Sequence, residues 1–171
     1  NKRVYVKYKK FAKDVKIGEK LLIDDGKLIF EILETDNESN VKARVIQGGP
    51  LFSKKGINLP NTKISLPALT EKDFEDAIFS INQKVDWIAL SFVRNGNDLN
   101  KLKKIIEEKS KHKIPVISKI EKPEALENID EIIANSDGIM VARGDLGVEV
   151  SAAKVPLIQK QLVNKSKKAR I

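Results

Sequence analysis

The sequence predicts an α/β chain in which a small all-β part, residues 1–63, precedes alternating strands and helices, residues 64–171. In the first part, apolar and charged residues alternate, as at residues 41–45, which is the two-residue period of a strand. In the second part, short apolar runs alternate with segments of helical spacing, a pattern typical of a parallel sheet. The change of period places a domain boundary near residues 60–63.

Short strands account for the first part. We expect them at residues 4–8, 21–23, 27–33 and 41–45. The triplet Asp24-Asp25-Gly26 lies between the second and third strands and predicts the turn of a β-hairpin. Because no stretch has the period of a helix, the pattern favours a small antiparallel unit, either a barrel or a curled sheet.

The second part contains four strand–helix units. We expect its strands at residues 64–66, 85–92, 114–120 and 138–142, and its last helix at residues 154–168. Thr70 and Asp73 have the spacing of a capping box, and Pro123 suits the first turn of a helix. Since a complete (β/α)₈ barrel needs ~250 residues, this part is either a small open sheet or a partial (β/α)₈ barrel.

Composition excludes several kinds of site. With no Cys and a single His, the chain has no disulfide, no thiol nucleophile and no His cage for a metal. No apolar run approaches the ~18–20 residues that span a bilayer, and the N-terminus lacks the apolar region of a secretory signal. We therefore expect a soluble cytoplasmic protein that does not contact a membrane.

The positive charge is concentrated in the first part. The formal net charge is +8, and residues 1–63 hold 14 Lys and Arg against 8 Asp and Glu. Such a surface is typical of proteins that bind nucleic acid, an anionic membrane or a phosphorylated small molecule, and also of a merely solvated lysine-rich face. Charge alone leaves these alternatives open.

The strand predicted at residues 114–120 ends near a lysine and a glutamate. Side chains alternate along a strand, so we expect Lys119 and Glu121 on one face and Ile120 on the other. Active sites of parallel α/β folds lie at the carboxyl ends of strands. There, a carboxylate can hold a hard cation and an ammonium can stabilise developing negative charge, although a simple ion pair explains the same two residues.

A further carboxylate follows the next predicted strand. Residues 138–142 lead into Arg143-Gly144-Asp145-Leu146-Gly147, whose glycines permit tight turns and close approach of a ligand to the main chain. In a purely structural interpretation, Asp145 caps a helix or a turn. Alternatively, carboxylates from neighbouring strand ends hold Mg²⁺, which takes one or two carboxylates together with substrate oxygens and water.

These segments resemble the active-site region of the pyruvate kinase family. The resemblance rests on ISKIE at residues 117–121 and on GIMVARGDLGVE at residues 138–149. Further segments are similar, in the same order, at residues 23–26, 53–60, 66–68, 71–73 and 91–94. The resemblance implies that residues 1–63 are most of a β-rich lid domain and that residues 64–171 are central units of a (β/α)₈ barrel.

The resemblance also implies a role for each site residue. Lys119 is implied to be the catalytic lysine, which contacts the transferring phosphoryl group. Glu121 and Asp145 are implied to hold Mg²⁺ or Mn²⁺, and Lys55 to reach the nucleotide phosphates. The implied substrate-binding residues lie at the strand ends: Ser91, Lys119, Ala142, Arg143, Gly144 and Asp145.

The implied reaction is glycolytic, from phosphoenolpyruvate and ADP to pyruvate and ATP. The family implies K⁺ at a site outside this chain and a homotetrameric parent enzyme that binds no nucleic acid. Because other parts of the family's sequence are missing, we expect a fragment that is inactive alone. Two alternatives are another barrel enzyme that uses metal-bound enolates, and a nucleic-acid-binding module on the basic β part, which would need exposed aromatic residues on one sheet face.

Overall fold

The chain divides between Ser65 and Leu66 in the computed structural model, which describes residues 3–60 and 62–171. We call Asn1–Ser65 the first unit and Leu66–Ile171 the second unit. The boundary predicted at residues 60–63 lies slightly earlier, and its Asn61 is outside the described residues. Among the residues described, none of the helices has the length and apolar character that crossing a bilayer requires.

An antiparallel sheet forms the first unit. Its strands within the described residues are β1 (Lys20–Ile23), β2 (Leu28–Thr35), β3 (Val41–Gln47) and β4 (Ile57–Asn58), in the order β3-β2-β1-β4. The predicted hairpin is confirmed, because Ile23 pairs with Leu28 and the turn between them carries positive φ at Asp24, Asp25 and Gly26. Aspartate tolerates this left-handed conformation better than most residues.

The start of the first unit differs from the sequence prediction. Residues 4–8 do not form a strand, and a short helix, α1 (Phe11–Asp14), which was not predicted, follows them. Here the Tyr8 hydroxyl donates to the Asp14 carboxylate and the Tyr8 carbonyl accepts from the Phe11 N–H, so local turn bonds replace strand pairing. The described sheet is also open, with β3 and β4 at its two edges, rather than closed into a barrel.

Three parallel strands form the sheet of the second unit among its described residues. They are β5 (Ile88–Leu90), β6 (Val116–Ile120) and β7 (Gly138–Val141), in chain order across the sheet. The helices are α2 (Glu71–Asn82), α3 (Gly96–Lys109), α4 (Pro123–Glu127), α5 (Ile129–Ala134), α6 (Arg143–Glu149) and α7 (Val155–Ala169). The alternation of strands and helices follows the apolar pattern of the sequence.

The predicted start of α2 is confirmed in detail. The Thr70 hydroxyl accepts from the Asp73 N–H at 3.2 Å, and the Asp73 carboxylate accepts from the Thr70 N–H at 2.8 Å. This reciprocal pair is a capping box, and it satisfies two backbone donors that helix geometry leaves without partners.

The strand predicted at residues 64–66 is wrong. These residues form no strand, because the Ser65 N–H donates to the Asp14 side chain at 2.8 Å instead of to a strand neighbour. The segment after β7, for which the sequence allowed a helix or a turn, is a helix, α6, and neither Gly144 nor Gly147 has a positive φ. Leu146 is fully buried, and the burial of this apolar side chain favours the helical conformation of the segment.

Burial alternates along β6 and sets the direction of its side chains. Val116, Ser118 and Ile120 are buried with almost no exposed surface, whereas Ile117 and Lys119 are only partly buried. The Ser118 hydroxyl is satisfied within the core by the Ser136 hydroxyl at 2.6 Å. One side of β6 therefore packs into the core, and Lys119 lies on the other.

Candidate active site

The strand register brings three chain segments to one edge of the sheet in the second unit. Leu90 pairs with Ser118 and Lys119 pairs with Met140, and all three strands run in the same direction. Ser91 follows β5 and Ala142 follows β7, so their positions are level with the carboxyl end of β6. The fold therefore gathers the predicted site residues of this unit at its strand ends.

Lys119 has two side-chain neighbours at this edge. Its Nζ donates to Ser91 Oγ at 3.1 Å and lies 2.7 Å from Glu121 Oε1. The Lys119 side chain is 26% exposed and that of Glu121 is 4% exposed, so the carboxylate is buried while the ammonium still reaches solvent. The structure thus brings together Ser91, Lys119 and Glu121, as the sequence prediction requires.

Glu121 has the properties of a cation ligand. Its Oε1 is buried and accepts no hydrogen bond of good geometry, although the Lys119 ammonium lies beside it. A buried carboxylate needs a cation beside it, and in this structure the Lys119 ammonium takes that place. A buried carboxylate oxygen that accepts no hydrogen bond of good geometry also has the chemistry of a ligand for a hard divalent cation.

The carboxylates at this edge are too few for a closed metal cage. Among residues 3–60 and 62–171 there is no group of three or more His, Asp or Glu side chains that could hold a metal ion. Asp145 lies in the first turn of α6 and is exposed. Mg²⁺ usually binds through one or two carboxylates plus substrate oxygens and water, so Glu121 and Asp145 fit that cation better than one needing a full protein shell.

The segment after β7 joins the edge through its backbone. The Ala142 N–H donates to the Ile120 carbonyl at 3.3 Å, and the Ala142 carbonyl accepts from the Leu146 N–H at 2.8 Å. Arg143 and Gly144 are exposed, and a side chain added at Gly144 would meet no atom within 4 Å. The glycine thus leaves open space beside the main chain, where a ligand can approach.

Lys55 lies in the first unit, where its described partner is the hairpin turn. Its Nζ is 3.0 Å from Asp24 Oδ1, and the Asp24 N–H donates to the Gly56 carbonyl at 3.1 Å. The hydrogen bond from Lys55, followed by that from Lys27, holds the pKa of Asp24 below its ordinary value. Lys55 is therefore held against a carboxylate of its own unit.

A comparison with known protein families decides the family of the chain. The sequence profile of the pyruvate kinase barrel domain matches residues 1–170. The chain belongs to the pyruvate kinase family. The resemblance noted in the sequence is therefore confirmed.

Curated pyruvate kinases from fungi and bacteria are similar to nearly all of the chain. The pyruvate kinase of Candida albicans is 44% identical over 96% of the chain and 32% of its own length. That of Geobacillus stearothermophilus is 44% identical over 95% of the chain and 28% of its length. That of Corynebacterium glutamicum is 46% identical over 94% of the chain and 34% of its length. The chain thus spans about a third of the length of the relatives it matches.

One buried ion pair of the chain was missed at the level of sequence. Lys122 Nζ lies 2.5 Å from Glu149 Oε1, and their side chains are 12% and 2% exposed. Glu149 ends the segment of residues 138–149 that resembles the family, but nothing in that segment pairs it with Lys122. The only signal in the sequence is that Lys122 adjoins Glu121, and that Glu149 lies four residues after Asp145, one helical turn away.

Proposed function

We propose that the protein containing this chain transfers the phosphoryl group of phosphoenolpyruvate to ADP, giving pyruvate and ATP. The observation that carries the proposal is the contact of Lys119 with Ser91 and Glu121 at the carboxyl edge of the sheet, in a member of the pyruvate kinase family. Phosphoryl transfer needs positioning and electrostatic stabilisation far more than covalent participation by the protein. A lysine fixed between a hydroxyl and a buried carboxylate meets that need.

Lys119 is the catalytic residue of the proposal. The bond between phosphorus and the enol oxygen breaks, an oxygen of the ADP β-phosphate forms the new bond, and the enolate takes up a proton to give pyruvate. Negative charge spreads over the phosphoryl oxygens on this path. The Lys119 ammonium is already oriented by Ser91 and Glu121, so little reorganisation opposes its interaction with that charge.

Glu121 and Asp145 are the proposed ligands of Mg²⁺ or Mn²⁺. When bound, such a cation would neutralise charge on the substrate oxygens and orient them. Glu121 contributes a buried oxygen with no hydrogen bond of good geometry, and Asp145 contributes an accessible carboxylate at the start of α6. K⁺, which the family implies, has no proposed ligand in this chain.

The remaining site residues bind substrate in this proposal. Ser91 orients Lys119, and the backbone of the half-buried Ala142 and of the exposed Arg143 and Gly144 borders the position of the phosphoenolpyruvate carboxylate. Lys55 pairs with Asp24 in the absence of nucleotide, and it leaves Asp24 to bind the nucleotide phosphates. The net positive charge of residues 1–63 supports this use, because it attracts anionic substrates.

The architecture proposed for the whole protein follows the family. The second unit supplies consecutive units of a (β/α)₈ barrel, and the first unit is the lid domain that excludes water when the site closes. Parallel strands that alternate with helices, beside a separate antiparallel sheet, support this assignment. A cytoplasmic, homotetrameric parent enzyme is a further proposal that rests on family membership alone.

A chimera tests the proposed function. This chain replaces the matching segment of the Geobacillus stearothermophilus pyruvate kinase, and pyruvate formation is coupled to NADH oxidation. We expect activity, and we expect Glu121→Gln to raise the Mg²⁺ concentration for half-maximal rate by at least the ~10-fold typical of losing even an outer-shell partner. Glu107→Gln, an exposed position on α3, is the matched control. A folded chimera that forms no pyruvate, or a Glu121→Gln chimera with the parental Mg²⁺ requirement, overturns the proposal.

A further inference from the structure

The buried ion pair between Lys122 and Glu149 connects two segments that border the site. Lys122 is the second of the two residues between β6 and α4, and Glu149 is the last residue of α6. The atoms Nζ and Oε1 are 2.5 Å apart, and both side chains are almost fully removed from solvent. A buried ion pair often adds little to the net free energy of folding, but losing one partner leaves an unpaired charge in the interior. The role of this pair therefore lies in the segments that it holds together rather than in overall stability.

Each residue of the ion pair lies close in sequence to one of the two proposed cation ligands. Lys122 directly follows Glu121. Glu149 is four residues after Asp145, one turn further along α6; Asp145 is exposed at the start of the helix and Glu149 is buried at its end. The other end of α6 is also bonded to β6, through the Ala142 N–H and the Ile120 carbonyl at 3.3 Å. Both ends of α6 are thus tied to the β6 segment that carries Glu121.

We propose that Lys122 and Glu149 are positioning residues that hold Asp145 in reach of a divalent cation bound at Glu121. A helix of seven residues has few contacts of its own to fix its direction. The tie at Ala142 fixes where α6 begins, and the ion pair at Glu149 fixes where it points. Asp145 lies between these two attachments. This inference rests on the proposed metal role of Glu121 and Asp145, and neither Lys122 nor Glu149 touches substrate in it.

A positioning role and a simple charge effect predict opposite changes in cation affinity when Lys122 is replaced. Lys122 is a positive charge next to Glu121, so it repels any cation bound there. If charge alone mattered, Lys122→Gln would tighten cation binding. If the ion pair positions Asp145, the same substitution weakens binding, because one of two carboxylate ligands is no longer held in place. The direction of the change therefore separates the two accounts.

Manganese titration of the 171-residue chain tests the inference. Mn²⁺ is the probe, and its free concentration is followed by electron paramagnetic resonance. We expect Lys122→Gln to weaken Mn²⁺ binding by roughly 10-fold or more, the loss typical of removing an outer-shell partner. Lys122→Arg, which keeps the charge and can keep the pair, should bind close to the unsubstituted chain. Lys165→Gln removes an equal charge from the pair between Lys165 of α7 and Asp130 of α5 and is the matched control.

A second readout needs no metal. In metal-free buffer, amide hydrogen exchange at Leu146, whose N–H donates to the Ala142 carbonyl at 2.8 Å, reports the order of α6. We expect faster exchange in Lys122→Gln and parental exchange in Lys165→Gln. If Lys122→Gln does not fold, the exchanged pair Lys122→Glu with Glu149→Lys takes its place, because it keeps the net charge and the ion pair. Amide exchange at Leu146 in that double variant as slow as in the unsubstituted chain supports the inference, and faster exchange contradicts it.

The outcomes for this inference and for the proposed function are distinguishable. Glu121→Gln and Asp145→Asn test the cation ligands themselves. If both bind Mn²⁺ as tightly as the unsubstituted chain, or if that chain binds none, the metal role fails and the inference fails with it. If both lose Mn²⁺ while Lys122→Gln binds as tightly or more tightly, the metal role stands and the positioning role is overturned.

Discussion

Replacing Lys119 by methionine should destabilise the second unit in the absence of metal. The substitution keeps an unbranched side chain as far as the ε position but removes the ammonium 2.7 Å from Glu121 Oε1. Glu121 is then left with a carboxylate that is only 4% exposed and has lost its cation. We therefore expect the loss of stability to come from a buried carboxylate without a cation and not from poorer packing.

The expected cost follows from the burial of the two partners. Removing one partner of a fully buried pair costs about 3–5 kcal/mol. Because the Lys119 side chain is 26% exposed, water replaces part of the lost interaction, and we expect about 2 kcal/mol. Mg²⁺ should restore part of this loss, since a ligand that binds only the folded state stabilises it.

Urea unfolding followed by Trp87 fluorescence measures the effect. Trp87 is the single tryptophan of the chain and belongs to the second unit, so its signal reports that unit without the first. Lys104→Met is the control, because Lys104 is 77% exposed and its contact with Glu108 is 4.0 Å long. Unchanged unfolding of Lys119→Met in metal-free buffer, or equal losses in both variants, would refute the reasoning.

Three further predictions concern stability and ionisation. Thr70→Ala should cost about 1 kcal/mol at pH 7. Because hydrogen bonds from Thr70 lower the pKa of Asp73, this deficit should shrink in urea unfolding as the pH falls through that pKa, and a deficit that does not change with pH would contradict the bond from the Thr70 hydroxyl to the Asp73 carboxylate. Lys55→Gln should raise the pKa of Asp24 toward its ordinary value, as followed by carboxyl NMR titration, and an unmoved titration would exclude the Lys55–Asp24 contact. Ile132→Ala, at a fully buried site, should destabilise the second unit by about 2–5 kcal/mol in the Trp87 assay, and a loss typical of a surface position would contradict its place in the core.

Features set by a few neighbouring residues were predictable from the sequence. The hairpin turn at residues 24–26 and the capping box at Thr70 depend on local backbone geometry that particular residue types favour. The contact of Lys119 with Glu121 follows from the two-residue period of a strand. In each case the information lies within a few positions of the residue concerned.

Features decided by particular side-chain contacts or by burial were not predictable. Residues 4–8 have strand composition, but the bond from Tyr8 to Asp14 directs them into the turn before α1. The segment beginning at Arg143 contains two glycines, which left a turn and a helix open, and the burial of Leu146 favours the helix. The pair of Lys122 and Glu149 joins residues 27 positions apart, and no local pattern marks such a contact.

The turnover number of a Lys119→Met variant tests the central claim most directly. In the chimera with the Geobacillus stearothermophilus relative, kcat and the KM for phosphoenolpyruvate are measured at saturating ADP and Mg²⁺. The account predicts a fall in kcat on the order of 10²–10³ with a much smaller change in KM, because Lys119 interacts best with charge that develops in the transition state. A folded Lys119→Met chimera with near-parental kcat would contradict it.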